Sequence, residues 1–322
     1  MTDDLRVVAF GGGTGLPVLL SGLRERVTGD LTAVVTVTDD GGSSGRLRQE
    51  LGIAPPGDVR NCLVALAGRR RLAEVFDYRF ETGAELRDHT VGNIVIAALT
   101  NLSGGFSEGI QQAARLLRIK GVVLPAATES LTLLVRYVDG SVTRGESAVR
   151  DAGKAVARVA VEPRGVPAPT HVLAAINRAD IVVLSAGSLY TSTIPALLGR
   201  GVAETLAAFR RPVVYTANLM TQPGETMGLT VADHLRAIAE HVGPVVTDVL
   251  VNSATLPDPA TARYREDGAA PVEFDRDECA RLGIRVHEVP LLPDTLPPQV
   301  RHDPDRVAEA ICAIARDTPV KG

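Results

Sequence analysis

The residues best suited to chemistry lie in a glycine-rich segment that also carries two adjacent aspartates. The stretch VVTVTDDGGSSGRLRQ, residues 34–49, runs from β-branched residues into Asp39 and Asp40. Adjacent carboxylates repel each other and glycines lose much conformational entropy on folding, so this arrangement opposes stability. One carboxylate could bind ribose hydroxyls, or the pair could share a divalent cation that bridges to phosphate. The segment predicts a ligand site with these members: Asp39, Asp40, Gly41, Gly42, Ser43 and Ser44.

A second glycine-rich segment, AFGGGTGLPVLLSGL at residues 9–23, joins a predicted strand to a predicted helix. Consecutive glycines let a backbone approach an anion closely, and the free N–H groups at a helix start attract it. The segment does not fit G-x-G-x-x-G, because Leu16 stands where the third glycine would be, and it lacks the lysine of a Walker A loop. A tight turn without a ligand is the alternative. We predict phosphate binding by Gly11, Gly12, Gly13, Thr14 and Gly15.

Four further polar segments are candidates for the same site. In PPGDVRNCL, residues 55–63, Asp58 could cap a helix that begins near Val59, and Arg60 in its first turn indicates a nearby anion. SAGSLYTSTIPALL and NLMTQPGET follow two later predicted strands, and Tyr190 offers a flat ring there. DHTVGN contributes a histidine and an asparagine that could cap, pack or act. The candidates are Asp58, Asn61, His89, Asn93, Gly187, Ser188, Leu189, Tyr190, Thr191, Ser192, Asn218, Thr221 and Gln222.

No residue is assigned a catalytic role. The sequence shows no G-x-S-x-G, no H-E-x-x-H and no cysteine placed beside a histidine. The residues therefore indicate binding more clearly than chemistry.

The pattern of elements that must position these residues is typical of an α/β protein. Apolar runs of strand length alternate with helical periodicity, which predicts a mostly parallel, doubly wound sheet in a Rossmann-like three-layer α/β/α fold. The predicted strands are 5–10, 31–37, 181–186, 212–219, 245–252 and 284–289. Since ligands of such sheets bind at the carboxyl ends of the strands, the candidate loops are expected to meet at one edge.

The whole chain, 1–322, is predicted to form a single domain with an α+β lobe inserted at about 59–170. Asp139 and Gly140 form the predicted turn of a hairpin in this lobe, and the proline-rich run 162–170 marks the return to the core. Thr230 and Asp233 predict a helix-capping box, and Pro304 the start of the last helix.

Composition excludes several classes of protein. The chain is 45% hydrophobic and 22% charged, with a formal net charge of −4, so it has no global basic field for nucleic acid or an anionic membrane. Three separated cysteines indicate neither disulfides nor zinc, and fit a reducing cytoplasm. The N-terminus is acidic where a signal peptide would be basic, and no apolar run approaches the roughly 20 residues of a membrane span. We expect a cytoplasmic protein with no nucleic-acid or membrane partner.

The same segments resemble the signature blocks of a known family. GGGTGL, TVTDDGGSSGRLR, PPGDVRNCL, HTVGN, AGSLYTSTIPALL and NLMTQPGET are similar to those of the bacterial gluconeogenesis factor family, YvcK-type, within the superfamily of 2-phospho-L-lactate transferase (CofD). The resemblance extends from residue 8 to about 252. It implies a Rossmann-like core that binds UDP-N-acetylglucosamine through Gly11 to Gly15, Asp39 to Ser44, Ser188 to Ser192 and Asn218 to Gln222. This chain differs from the family pattern at Ser185-Ala186-Gly187, where similar proteins read G-P-G.

Two functions follow from this resemblance. The first is a cytoplasmic regulator of carbon partitioning and cell-wall morphogenesis that binds a UDP-sugar or another nucleotide diphosphate, requires no cofactor, and signals through a protein partner, as a homo-oligomer. The alternative is a transferase that moves a phospholactyl-type group from a GDP-linked donor to a deazaflavin, with Mg²⁺ held by Asp39 or Asp40. A nicotinamide dinucleotide is a third ligand, favoured only by the glycine loop and the acidic residue behind it.

Overall fold

A computed structural model describes residues 3–83, 85–297 and 299–317 of the chain. Its strands are β1 (Val7–Gly11), β2 (Leu31–Val35), β3 (Val122–Pro125), β4 (Thr132–Tyr137), β5 (Val142–Arg144), β6 (Val156–Glu162), β7 (Ile181–Leu184), β8 (Val213–Thr216), β9 (Asp248–Asn252) and β10 (Arg285–Val289).

The helices are α1 (Gly15–Arg26), α2 (Gly42–Leu51), α3 (Gly57–Ala65), α4 (Arg70–Asp77), α5 (Val91–Ser103), α6 (Phe106–Leu117), α7 (Ser147–Ala152), α8 (Thr170–Arg178), α9 (Val202–Ala208), α10 (Val231–Val242), α11 (Asp258–Glu266), α12 (Arg276–Arg281) and α13 (Pro304–Asp317). A π-helical turn at Leu189–Thr193 and a short 3-10 helix at Pro195–Leu197 follow β7.

Seven strands form one parallel sheet in the order β3-β2-β1-β7-β8-β9-β10. On one side of β1 the sheet continues with β2 and β3, and on the other side with β7, β8, β9 and β10. The strand order therefore reverses between β1 and β7. In doubly wound sheets a ligand crevice opens at this switch point. The predicted Rossmann-like α/β fold is confirmed.

Side chains of β1 show how the three layers are built. Val7 and Ala9 point into an apolar cluster formed with α1, α3, α6 and α13 on one face of the sheet. Val8 and Phe10 point into a second cluster formed with α8, α9 and α10 on the other face. Because both faces are covered, the strands read as continuous apolar runs. This burial fixes the positions of the loops at the strand ends.

The remaining strands form a three-stranded antiparallel sheet in the order β5-β4-β6, which we call the small sheet. The predicted lobe 59–170 is divided in the structure between the two sheets. Its β3 pairs in parallel with β2 of the main sheet, and its helices α3 and α6 pack on that sheet. The small sheet is hydrogen-bonded separately from the parallel sheet, but Val135 of β4 and Val149 of α7 pack in the same apolar cluster as Phe10. The sequence prediction missed β3, which is four residues long.

Local predictions of turns and caps agree with the structure. Asp139 and Gly140 lie in the turn between β4 and β5. Thr230 and Asp233 form the capping box of α10, and Pro304 is the first residue of α13. In the part of the chain that the structure describes, no helix has the length and apolar character needed to cross a membrane.

Candidate functional site

The glycine loop, Gly11–Gly15, lies at the switch point between β1 and β7. Gly13 has a φ of 58°, which favours glycine, and α1 begins two residues later. A Cβ on Gly15 would lie 1.4 Å from the carbonyl oxygen of Ala186. The loop after β7 thus touches the start of α1 through backbone atoms. Ala186, which makes this close approach, belongs to the Ser185-Ala186-Gly187 string that differs from the family pattern.

Asp58 joins the glycine loop to the start of α3. Its Oδ2 accepts a hydrogen bond of 2.8 Å from the N–H of Gly13, and it lies 2.5 Å from the position that a Cβ on Gly12 would take. Helix α3 begins at Gly57, so Asp58 does not cap the helix as the sequence suggested. Burial raises the pKa of Asp58 to about 6. A titratable carboxyl group therefore lies against the predicted phosphate cradle.

The anion that the position of Arg60 indicated is a carboxylate of the protein itself. It forms an ion pair with Asp77, at the end of α4, and its Nη2 donates a 2.6 Å hydrogen bond to Asn61 Oδ1. The unfavourable position of Arg60 in the first turn of α3 is therefore explained by Asp77. The side chain of Asn61 is engaged in this same group.

Asp39 and Asp40 have different partners, although they are adjacent in the sequence. Asp39 accepts a hydrogen bond of 2.9 Å from the N–H of Gly41, and burial raises its pKa. Asp40 accepts a hydrogen bond of 2.8 Å from the N–H of Ser147, at the start of α7. The second oxygen of Asp40 lies 1.9 Å from where a Cβ on Gly145 would be. Asp39 therefore belongs to the loop after β2, whereas Asp40 connects that loop to the small sheet.

Ser43, His89 and Asn93 form a buried polar group beside this loop. The hydroxyl of Ser43 lies 3.0 Å from His89 Nδ1 and accepts a 3.0 Å hydrogen bond from Asn93 Nδ2. Burial, followed by the charge of Arg46, lowers the pKa of His89. Ser44 lies on the other side, where its Oγ is 2.3 Å from the position of a Cβ on Gly57. The structure therefore brings three of the predicted segments together around α2.

The loop after β7 is held by the loop after β8. Asn218 accepts a hydrogen bond of 3.0 Å from the N–H of Gly187 and donates one of 2.7 Å to its carbonyl oxygen. Gln222 Nε2 donates to Ser188 Oγ at 3.0 Å. Glu225 accepts hydrogen bonds of 3.3 Å from the N–H of Tyr190 and from the hydroxyl of Thr191. Two predicted loops thus form one rigid edge opposite the glycine loop.

Two residues of the predicted site contribute side chains to the core instead. Leu189 is fully buried, and Tyr190 is 5% exposed, both within the apolar cluster under α10. The ring of Tyr190 packs edge to face against His241, and burial raises the pKa of its phenol to about 12. Ser192 faces the glycine loop, with its Oγ 3.6 Å from the position of a Cβ on Gly13.

A cleft of about 690 Å³ opens beside these loops, which is the size of a site for a small organic ligand. From the predicted set it is lined by Thr14, Gly15, Gly187, Ser188, Asn218, Thr221 and Gln222. It is also lined by residues that the sequence analysis missed: Tyr264, Asp267, Gln299, Val300, Arg301, His302 and Val307. These come from α11, from the segment before α13 and from α13 itself. No glycine motif or strand end marks them in the sequence.

Three polar atoms on cleft-lining residues are buried and have no hydrogen-bond partner among the described residues. They are Thr216 Oγ1, Gln222 Oε1 and His302 Nε2. Burial lowers the pKa of His302 to about 4, so its ring is neutral at pH 7. A buried polar atom without a partner costs free energy. These unpartnered atoms beside the cleft are candidates for contact with a polar ligand.

Metal-binding residues are not clustered in the usual way. Within residues 3–83, 85–297 and 299–317, no group of three or more His, Cys, Asp or Glu side chains could hold a metal ion. Mg²⁺ bound to a nucleotide needs only one or two carboxylates, since phosphates and waters complete its shell. Besides burial, the negative charge of Asp40 raises the pKa of Asp39, and that of Asp39 raises the pKa of Asp58, so either pair could supply the carboxylates.

Comparisons with known proteins agree with this fold. The family model described as 2-phospho-L-lactate transferase CofD matches residues 7–292. A protein of Bacillus subtilis named "Gluconeogenesis factor" is 40% identical over 98% of this chain and 100% of its own length. One of Halalkalibacterium halodurans with the same name is 44% identical over 95% of each chain.

A crystal structure of a Bacillus halodurans protein superposes with a TM-score of 0.93 at 43% identity, and covers 96% of this chain and 99% of that one. A second structure from this organism, titled as a member of the UPF0052 family, gives a TM-score of 0.91. The chain therefore belongs to the CofD family and, within it, to the group of proteins named gluconeogenesis factor.

Proposed function

We propose that this protein is a cytoplasmic regulator that binds a nucleotide sugar, UDP-N-acetylglucosamine, and that it acts in carbon partitioning and cell-wall morphogenesis. The observation that carries the proposal is the arrangement of charge along the site. Backbone N–H groups of the glycine loop lie at its centre, a cleft with neutral polar groups lies on the β8 side, and carboxylates lie on the β2 side.

The central part suits a diphosphate. The first N–H groups of α1 have no partner within the helix, and the helix dipole makes this end positive. The N–H of Gly13 donates to Asp58 in the structure, and a Cβ on Gly13 would meet only Ser192 Oγ, at 3.6 Å. A phosphate could approach the main chain on this open side of Gly13, as in other doubly wound nucleotide sites.

The β8 side suits a nucleoside. Tyr264 offers an aromatic surface, and Gln222 and His302 offer buried polar atoms for the edge of a base. Arg301 is the only Lys or Arg among the described residues that line the cleft, and it can neutralise a phosphate. A base and ribose on this side would place the other end of the ligand towards Asp39 and Asp58.

The β2 side favours a neutral group with many hydroxyls. Asp39, Asp40, Asp58 and Glu146 lie in this region, and carboxyl oxygens accept hydrogen bonds from sugar hydroxyls. A distal group that is itself an anion, such as a phospholactyl group, would be repelled there unless a cation intervened. The charge pattern thus supports a nucleotide sugar over the donor of a phospholactyl transferase.

A regulatory role is supported by the names of the relatives. The relatives in Bacillus subtilis and Halalkalibacterium halodurans are named gluconeogenesis factors. Regulation requires a protein partner that responds to the bound ligand. We propose that such a partner exists, and that the protein is a homo-oligomer.

The second candidate is a CofD-like transferase, and the match of the family model to residues 7–292 favours it. In this reaction Asp39, together with Asp40 or Asp58, would hold Mg²⁺, which would neutralise charge on a GDP-linked donor. The chain itself would bind and position the diphosphate through the glycine loop. Catalysis of this kind needs no conspicuous base.

A thermal-shift panel separates the two functions. The ligands are UDP-N-acetylglucosamine, UDP-glucose, GDP and NAD, each with and without Mg²⁺. A ligand at 100 times its dissociation constant stabilises the protein by about 2.7 kcal/mol, which raises the melting temperature by several degrees. The regulator is expected to respond to UDP-N-acetylglucosamine without Mg²⁺. A response to GDP alone, and only with Mg²⁺, would favour the transferase.

A further inference from the structure

Glu146 lies in the short segment between β5 and α7, next to the loop that carries Asp39 and Asp40. It directly precedes α7, between Gly145 and Ser147, and both of these neighbours touch Asp40. The Ser147 N–H donates to Asp40 Oδ1 at 2.8 Å, and Gly145 approaches Asp40 Oδ2. The backbone on each side of Glu146 is therefore anchored to the loop after β2.

Carboxylates from three separate segments act electrostatically on Glu146. Asp39 and Asp40 follow β2, Asp58 belongs to α3, and Glu225 follows β8. These four charges, after burial itself, raise the pKa of Glu146 well above its usual value. The segment between β5 and α7 thus places one carboxyl group beside Asp40, within the electrostatic influence of the other three.

The Oε2 atom of Glu146 is buried and has no hydrogen-bond partner among the described residues. Removing a polar atom from water without giving it a partner costs stability, so such an atom in a binding site indicates a role. A protonated carboxyl group both donates and accepts hydrogen bonds. It can therefore pair with a hydroxyl group and with an amide oxygen.

From these observations we infer that Glu146 is a specificity-determining residue that hydrogen-bonds the distal, uncharged group of a nucleotide ligand. The inference rests on the proposed function, and it adds that the segment between β5 and α7 recognises the part of the ligand beyond the diphosphate. The nucleotide itself is bound on the other side of the glycine loop, in the cleft lined by Tyr264 and His302. The ligand class is a nucleotide joined to a neutral group that carries hydroxyl or amide groups.

Calorimetric titration of four proteins with UDP and with UDP-N-acetylglucosamine tests this inference. The proteins are the wild type, Glu146→Ala, Glu146→Gln and the control Glu129→Ala, an exposed glutamate between β3 and β4. We expect all four to bind UDP within about 3-fold of one another, since Glu146 does not touch the nucleotide. We expect the wild type to bind UDP-N-acetylglucosamine more tightly than UDP, and this ratio is the extra affinity for the sugar nucleotide. In Glu146→Ala the ratio should fall about 10-fold or more, as for the loss of one strong hydrogen bond.

Glu146→Gln should keep most of that extra affinity, because an amide also donates and accepts. Equal losses in the Ala and Gln variants, no loss in either, or the same loss for UDP and for the sugar nucleotide would each overturn the inference. Melting temperatures confirm that each variant is folded, and the isosteric Gln variant remains informative if Ala disturbs α7. Failure of the wild type to bind any uridine nucleotide would instead refute the proposed function, and the inference with it.

Discussion

The carboxyl group of Asp58 accepts a 2.8 Å hydrogen bond from the backbone N–H of Gly13, and so connects the start of α3 to the glycine loop of β1. These residues are 45 positions apart in the sequence. Because burial raises the pKa of Asp58 to about 6, this carboxyl group gains or loses its proton close to neutral pH. The loop that we expect to bind phosphate is therefore linked to a titratable group.

The first prediction concerns the pH dependence of stability. Between about pH 4 and 6 the folded protein holds a proton on Asp58 and the unfolded chain does not. Protonation of Asp58 therefore stabilises the folded protein as the pH falls, and this stabilisation is lost as the pH rises through 6. Relative to Asp58→Asn, the wild type should gain about 1 kcal/mol of unfolding free energy between pH 7.5 and 5. Urea unfolding at both pH values measures this. An unchanged difference between the two proteins would contradict the assigned pKa.

The second prediction concerns Asn218, which holds both backbone groups of Gly187. Asn218→Ala removes two hydrogen bonds from the loop after β7, so the loop is less well ordered for binding. We expect about 10-fold weaker binding of UDP-N-acetylglucosamine, measured by calorimetry. Asn177→Ala, at an exposed position of α8, serves as the control and should bind as the wild type does. Equal affinities of Asn218→Ala and Asn177→Ala would show that Asn218 does not contribute to ligand binding.

The third prediction concerns the approach of the loop after β7 to α1. A Cβ at Gly15 would lie 1.4 Å from the Ala186 oxygen, so Gly15→Ala must displace backbone. We expect a loss of about 3 kcal/mol and a melting temperature lower by roughly 5–10 °C. Gly41→Ala is the matched control, because its Cβ would meet only Asp39 at 3.4 Å and its φ is −91°. Its melting temperature should change by less than about 2 °C. A similar fall in both variants would argue against a specific contact between Gly15 and Ala186.

The fourth prediction concerns Arg301, the only Lys or Arg among the described residues lining the cleft. Arg301→Ala should weaken UDP and UDP-N-acetylglucosamine by the same factor, about 10-fold, because it acts on the part that they share. The affinity of the variant should also depend less on salt than that of the wild type. Arg263→Ala, exposed on α11, should have neither effect. A selective loss of the sugar nucleotide would place Arg301 at the wrong end of the ligand.

Local sequence patterns predicted much of this molecule, because the relevant physics is local. Six strands of the main sheet, the capping box at Thr230 and the start of α13 follow from periodicity and capping chemistry. The glycine loop was also predictable, since φ values such as that of Gly13 favour glycine. In contrast, β3 is too short to show a clear period, and its pairing with β2 depends on residues about 90 positions away.

Side-chain directions at the site could not be predicted for a similar reason. Tyr190 stands in a polar segment, yet the π-helical turn directs its ring to His241 in the core. Arg60 indicated an anion, and only the packing of α4 shows that this anion is Asp77. Glu146 and Arg301 reach the site from segments without motifs. Their positions are set by tertiary packing, which a single sequence does not reveal.

A crystal structure of this chain with UDP-N-acetylglucosamine tests the placement and the direction of the ligand most directly. We predict a diphosphate at the backbone N–H groups of the glycine loop, a uracil ring beside Tyr264 and His302, and a sugar directed towards Asp39 and Glu146. Ligand density away from the glycine loop, or a sugar lying on the side of Arg301, would contradict the account.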